Sequence, residues 1–225
     1  DVTRRSLAAC GGTILACRLA LAHGRAVNLA GGSHHASREG GAGFCVFNDV
    51  AVAALDLLAE GLVDRILVVD CDVHQGDGTA RIFADDPRVF TMSVHCADNW
   101  PIEKPPSDLD VALPKGADDR SYLGALHSAL REAFHRSRPQ LVIYNAGVDP
   151  HADDRLGLLK LTDAGLRSRD TMVARWSRLD RNKPLAAVLG GGYGPDASAV
   201  AARHAILVEA LMEAAETQGS EPVRI

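Results

Sequence analysis

The sequence predicts an α/β fold built as a three-layer, doubly wound and mainly parallel sheet. Three observations predict it. Short β-branched runs alternate along the chain with longer amphipathic stretches. Those runs are apolar at successive positions, as strands buried between two helical layers must be. And each unusual polar cluster falls just after one of the runs, where an open α/β sheet carries its site. No internal repeat or low-complexity linker divides the chain, so residues 1–218 read as one domain and 219–225 as a tail.

The elements follow in order. Residues 4–23 carry a helical pattern, and Ala26–Ala30 is a short run closed by Gly31-Gly32. Ala51–Glu60, rich in Ala and Leu, is a helix stopped at Gly61. Arg65–Asp70 and Val89–Val94 are the next two strands, both dominated by apolar residues. Asp118-Asp119 offer N-caps to a helix over Ser121–Arg136, which stops before Pro139. Leu141–Asn145 is a fourth strand, and a helix runs from Thr162 to Leu179. Leu185–Leu189 is a fifth strand, ending at Gly190-Gly191-Gly192, and a last helix covers Asp196–Glu216. Strands and helices in this alternation form right-handed βαβ crossovers.

Composition excludes several classes. The chain's 225 residues are 47% hydrophobic and 24% charged, enough to bury a core without disulfides or a structural metal. A net charge of −5 argues against a nucleic-acid groove. No uninterrupted apolar run approaches the roughly 20 residues of a membrane helix, so no membrane association is expected. Cys10, Cys17, Cys45, Cys71 and Cys96 stand far apart with no C-x-x-C pair, which suits a reducing, cytoplasmic compartment. The N-terminus carries no charged-then-apolar signal pattern.

The densest polar signal is Asp70-Cys71-Asp72-Val73-His74-Gln75-Gly76-Asp77-Gly78. Alternation puts residues 70, 72 and 74 on one side and Cys71 and Val73 on the other. Two carboxylates and an imidazole together are costly unless something positive joins them. A capping and ion-pair cluster is the plain alternative, but no Lys or Arg lies within the segment. A divalent metal held by Asp72 and His74 accounts for it better. Asp149 follows the fourth strand in Asn145-Ala146-Gly147-Val148-Asp149-Pro150. Alone it reads as a turn former, but it shares the sheet edge with Asp72 and His74, and Gly147 allows close approach. Three protein ligands leave positions open for water and a substrate oxygen.

His34-His35 sit at a glycine-flanked bend. One imidazole can take a proton while the other stays charged, provided carboxylates set their pKa values apart. Asp70 and Asp77, not needed as ligands, are the candidate partners. Gly190-Gly191-Gly192-Tyr193-Gly194 lacks the spacing and the Lys of a phosphate cradle. A Tyr on such a turn suits a hydrogen-bond donor to a developing oxyanion. Gly43-Phe44-Cys45 reads either as a channel wall or as plain core.

In this order the motifs resemble the arginase-like histone deacetylase family: His34-His35, Gly43-Phe44-Cys45, the Asp70–Gly78 segment, Ser93-Val94-His95, the Asp149 loop and Gly190–Tyr193. Gln75, Tyr144-Asn145-Ala146-Gly147, Ser107–Asp110 and Asp154-Arg155-Leu156-Gly157 look most like the class IV branch and its bacterial relatives. The resemblance implies zinc-dependent hydrolysis of the amide in an N-acyl-lysine. Asp72, His74 and Asp149 would hold Zn²⁺ or Fe²⁺. His35, paired with Asp77, would be general base to metal-bound water and then acid to the leaving amine. His34, paired with Asp70, would give electrostatic support, and Tyr193 would stabilise the oxyanion. Gly43, Phe44, Trp100 and Gly192 would bind substrate, and Asp70, Asp72, His74 and Ser93 would surround a monovalent cation such as K⁺.

The substrate would be an acyl-lysine protein or a small acylated amine such as an acetylpolyamine, with no direct nucleic-acid or membrane partner; oligomeric state stays open. The family carries a further segment before the part matching Ala9–Leu21, so the resemblance implies an N-terminally incomplete domain. A truncated metal-binding fragment without activity is therefore the alternative from outside enzymology. A phosphate-ester hydrolase would need a basic residue among the site loops, and Arg155 is the candidate.

Overall fold

The structure, a computed structural model, describes residues 1–179 and 182–216. Along these the elements run α1 (Val2–His23), β1 (Arg25–Asn28), α2 (Asp49–Ala59), β2 (Ile66–Asp70), α3 (Asp77–Phe83), β3 (Val89–Cys96), β4 (Leu109–Leu113), α4 (Asp119–Ser137), β5 (Leu141–Asn145), α5 (Asp163–Leu179), β6 (Leu185–Val188) and α6 (Ala197–Glu216). The strands form one sheet in the order β1-β6-β5-β2-β3-β4, and every neighbouring pair is parallel. The expected α/β three-layer architecture is therefore present, with a sheet that is wholly rather than mainly parallel.

Strand alternation sorts the core into two layers. Ile66, Val68, Leu141, Ile143, Ala186 and Val188 face α1, α2 and α3, meeting Cys17, Ala20, Leu57 and Phe83. Their neighbours Leu67, Val69, Val142, Tyr144, Leu185 and Ala187 face the opposite layer, meeting Tyr122, Leu126 and Leu130 of α4, Leu166 and Val173 of α5, and Leu207 of α6. A strand apolar on both faces is the sequence signature of this double burial. Cys71 and Val73 continue the second layer beyond the end of β2, so the alternation persists into the loop.

The direction in which strands are added reverses about β2. From there the chain steps outward through β3 to β4, then returns to β5 on the other side of β2. The carboxyl ends of β2 and β5 thus flank a topological switch point, where such sheets leave a crevice.

Two elements depart from expectation. β4 alternates half-exposed and exposed residues until Leu113, lying at the edge of the sheet opposite β1, so a search for continuous apolar runs passes over it. α3 has seven residues, too few for a helical period to show. Helix starts shift slightly. Asn48, accepting from the Ala51 N–H at 2.9 Å, caps α2, and Asp118, accepting from the Ser121 N–H at 3.0 Å, caps α4. Asp119 instead accepts from the backbone N–H and hydroxyl of Thr162.

The expectation drawn from apolar run length needs one correction. α1 is long and apolar enough, by length and composition, to cross a membrane. Arg18 and the glycines interrupt the run, but the helix as a whole stays apolar. Here it packs Cys10, Thr13, Ala16, Cys17 and Ala20 against the domain and leaves Leu7, Leu15 and Leu19 exposed. All five cysteines are free thiols. The expected tail, 219–225, lies outside the described residues.

Candidate metal centre

Backbone contacts place the ligand loops before any side chain meets another. A Cβ on Gly147 would lie 2.5 Å from Asp72 Oδ2, so only glycine lets the loop after β5 approach the loop after β2. The Val73 N–H donates to Asp149 Oδ1 at 2.8 Å, and the Gly191 N–H donates to Asp72 Oδ2 at 2.8 Å. Three loops from three strands are thereby stitched together through the two carboxylates.

What results is a buried triad. Asp72, His74 and Asp149 present ligand atoms that all lie within 4.8 Å of one another. His74 Nδ1 is 3.0 Å from Asp72 Oδ1 and 3.2 Å from Asp149 Oδ2. Asp149 Oδ2 is nonetheless buried with no properly aligned hydrogen-bond donor. A buried acceptor left unpaired, beside a second carboxylate, fits a cation-binding position.

The electrostatics point the same way. Burial, reinforced by the charge of Asp72, raises the Asp149 carboxyl well above the ordinary range. Burial alone would raise Asp72 too, but the charges of His34 and His74 outweigh it and hold that group low. His74 is pushed up to about 10, because its two carboxylate partners overcome the cost of burial. A metal would replace that proton.

The His34-His35 bend is held from below by Asp49, fully buried in the first turn of α2. Its carboxylate accepts from the Gly32 and Ser33 N–H groups at 3.0 and 2.8 Å and from the Thr13 hydroxyl at 2.6 Å. On this platform the two histidines take the partners expected of them. His34 Nδ1 lies 2.6 Å from Asp70 Oδ2, and His35 Nδ1 lies 2.7 Å from Asp77 Oδ1. The Asn145 amide and the Asp72 N–H, both at 3.1 Å, donate to the other Asp70 oxygen.

The two imidazoles are driven apart. Burial works against a charge on His34, but Asp70 and Asp72 prevail and push its pKa up to about 9. His35 is lowered by burial and by the adjacent His34 charge, which together outweigh Asp77. One ring is charged and the other neutral near pH 7.

Above these groups opens a cavity of about 440 Å³, walled by His35, His74, Trp100, Gly43, Phe44, Asn99, Leu156 and Tyr193. Trp100 stands edge-on to His35, ring centres 4.5 Å apart. Tyr193 is 6.4 Å from His74 by the same measure. Burial pushes the Tyr193 phenol up, and the Asp72 and Asp149 charges add to this, so the hydroxyl keeps its proton. A smaller chamber of about 130 Å³ lies between the histidine bend and the glycine turn, with Asp72 and Tyr193 in its wall.

The structure bears on three further sequence readings. Phe44 is not core: it is 85% exposed, at positive φ, and stands at the cavity mouth. Gly192 is not among the residues that wall this cavity, and a Cβ there would meet Val148, Val200 and His204. Arg155 is exposed and supplies no cation to the cavity walls. Ser93 pairs with Asp70 in the β2–β3 ladder, its hydroxyl 3.0 Å from His95 Nδ1. Sequence reasoning missed Asp49, Arg169 and Asp154 as residues that hold the site together; each reads locally as an ordinary helix or turn residue.

Comparison with known proteins gives this arrangement a family. Residues 1–209 match the histone deacetylase domain. The chain is 50% identical over 206 residues to an uncharacterised protein of Picosynechococcus sp., covering 92% of this chain and 68% of that one. It is 38% identical over 186 residues to histone deacetylase 2 of Arabidopsis thaliana, covering 81% and 48% of the two chains. With histone deacetylase clr6 of Schizosaccharomyces pombe the identity is 36% over 179 residues, covering 75% and 42%. Among solved structures, the HDA15 HD domain superposes with a TM-score of 0.77 at 25% identity, over 91% of this chain and 62% of that one. The chain belongs to the histone deacetylase family, and it spans less than half the length of these plant and yeast relatives.

Proposed function

We propose that the chain hydrolyses the amide of an N-acyl-lysine, with Zn²⁺ or Fe²⁺ held by Asp72, His74 and Asp149. The observation that carries this reading is the buried Asp72, His74 and Asp149 triad beside a cavity walled by His74, His35 and Tyr193, with the His34–Asp70 pair adjoining the triad. When bound, the metal supplies Lewis acidity toward the acyl carbonyl and the attacking water.

The protein's own groups do the rest. Asp77 occupies Nδ1 of His35, which leaves Nε2 as the free ring nitrogen on the cavity side. That nitrogen takes the proton of the attacking water and later returns one to the leaving amine. His34, charged between Asp70 and Asp72, stabilises negative charge without transferring a proton. Tyr193 donates its hydroxyl to the carbonyl oxygen as charge develops there. Trp100 and Phe44 offer apolar walls to the aliphatic stem of the acyl-lysine.

Tyr193→Phe is expected to lower kcat by about 10²-fold or more while leaving metal content unchanged, as for loss of an oxyanion donor. An unchanged kcat would remove the phenol from the mechanism. The pH profile gives a second check. A base whose pKa is lowered stays deprotonated into more acidic solution. The acid limb of kcat/KM should therefore have its midpoint below the ordinary imidazole value of about 6.5; a midpoint at or above it contradicts a lowered base.

The deciding experiment measures release of free lysine side chains from acetyl- and fatty-acyl-lysine peptides by protein reconstituted with Zn²⁺ or Fe²⁺. Chelator-sensitive turnover is the expected result. Absence of turnover from folded, metal-loaded protein would overturn the reading, and faster turnover of acetylpolyamines than of any peptide would move the assignment to small acylated amines.

A further inference from the structure

We propose that Asp154 is a positioning residue for Tyr193, through one carboxylate that bridges two walls of the cavity. Asp154 Oδ1 accepts from the Leu156 N–H at 2.8 Å and the Gly157 N–H at 2.9 Å, closing the loop that follows β5. Its Oδ2 accepts from the Tyr193 N–H at 2.5 Å, across 39 residues of sequence. No local turn rule requires this second bond, which ties the glycine turn to the ligand loop.

The tie matters because of what surrounds it. Tyr193 rides on a turn of four glycines, Gly190–Gly192 and Gly194, and Gly190 has positive φ. Such a turn has little intrinsic stiffness. The Gly191 N–H bond to Asp72 holds one side of it, and Asp154 holds the tyrosine itself. The hydrogen-bonded chain continues around the mouth. The Asn99 amide donates to the Leu156 carbonyl at 2.8 Å, and Asn99 Oδ1 accepts from the Trp100 N–H at 2.8 Å. Leu156, Trp100 and Tyr193 all line the cavity, so Asp154 and Asn99 join its walls into one collar.

The chemistry explains why a carboxylate is needed. Both oxygens accept, and three N–H groups donate to them. An amide in the same place must turn its NH₂ toward one set of donors. The amide keeps more bonds with its one carbonyl oxygen toward the two loop donors, so Asp154→Asn gives up the hold on Tyr193, and a small displacement of a group that acts on the reacting carbonyl is costly in rate.

The inference rests on the reading of Tyr193 as the carbonyl donor, and its test separates the two. kcat and KM are measured for Asp154→Asn, Tyr193→Phe and the double variant, each matched for metal content. Asp154→Asn is expected to lower kcat by about tenfold to a hundredfold, with KM changed less, and to lower it hardly further when Tyr193→Phe is already present. Equal fold losses in both backgrounds would make Asp154 a structural residue of its loop and overturn the proposal. An activity-independent readout accompanies the cycle: ¹⁹F NMR of protein carrying 3-fluorotyrosine at its three tyrosines. The line lost in Tyr193→Phe should shift in Asp154→Asn while the other two stay. Should Tyr193→Phe leave kcat unchanged, the carbonyl-donor reading fails by itself. A Tyr193 line unmoved by Asp154→Asn overturns the positioning role in either case.

Discussion

Asp149→Asn is expected to lose its metal while keeping its fold. The substituted side chain has nearly the same shape, and its carbonyl oxygen can still accept from the Val73 N–H that meets Asp149 Oδ1. What disappears is an anionic ligand atom, the one oxygen of the triad that is buried without a donor. Outer partners of metal ligands alone change affinity by about 10–100-fold, so removing a ligand should weaken binding by more than about a hundredfold. Acyl-lysine turnover should fall with it.

Stability supplies an independent reading of the same variant. Without metal, Asp149 is a carboxyl raised by burial and by the charge of Asp72, so the asparagine removes a like-charge conflict. The metal-free unfolding midpoint should hold level or rise. Added Zn²⁺ should stabilise the parent protein by ligand linkage and leave the variant unmoved. Elemental analysis and thermal unfolding with and without Zn²⁺ decide it. Full metal occupancy in Asp149→Asn would show that the third ligand lies elsewhere.

Arg169→Met should give the largest loss of stability. Arg169 is fully buried in α5, and its guanidinium donates to the carbonyls of Gly147 at 2.5 Å, Cys71 at 3.3 Å and Ala146 at 3.4 Å. Those carbonyls belong to the loops that carry Asp72 and Asp149. Its Nε meets Asp170 at 2.9 Å, and Asp170 also accepts from the buried Tyr144 hydroxyl at 2.5 Å. Methionine fills much of the volume but leaves Asp170 as an uncompensated buried charge and strands the Gly147 and Ala146 carbonyls, while the Cys71 carbonyl keeps the Tyr122 hydroxyl. Breaking such a pair from one side costs about 3–5 kcal/mol, or roughly 2–4 °C of Tm per kcal/mol at this chain length.

Two companion variants sharpen the argument. Arg169→Lys should recover little, because a single ammonium cannot reproduce a planar fork of donors aimed at separate loops. Arg169→Met with Asp170→Asn should recover part of the loss, because the stranded charge is gone. Urea unfolding measures all three. A loss below about 1 kcal/mol for Arg169→Met would mean that water replaces the guanidinium and that the arginine is no keystone.

Residues near in sequence made much of the fold and site legible. The buried strands announce themselves because a strand covered on both faces has no polar positions to spare, as in Ile66–Asp70 and Leu141–Asn145. The triad announces itself because carboxylates and imidazoles after such strands are costly without a cation. β4 was not legible by the same rule, since an edge strand keeps polar residues on its open side. α3 was too short for its period to show.

By itself, then, the sequence determined where five of the strands lie and which polar residues end them. Those are consequences of alternation and of the cost of burying charge, which act over a few residues. Only the tertiary structure decided that Asp49 holds the histidine bend, that Arg169 reaches Cys71 across 98 residues of chain, and that Asp154 meets Tyr193. Each of these looks locally like a helix-start acid, a helix arginine or a turn former. Their roles come from which loops the parallel crossovers bring to one edge of the sheet, and a hydrogen bond across that edge leaves no period in the sequence.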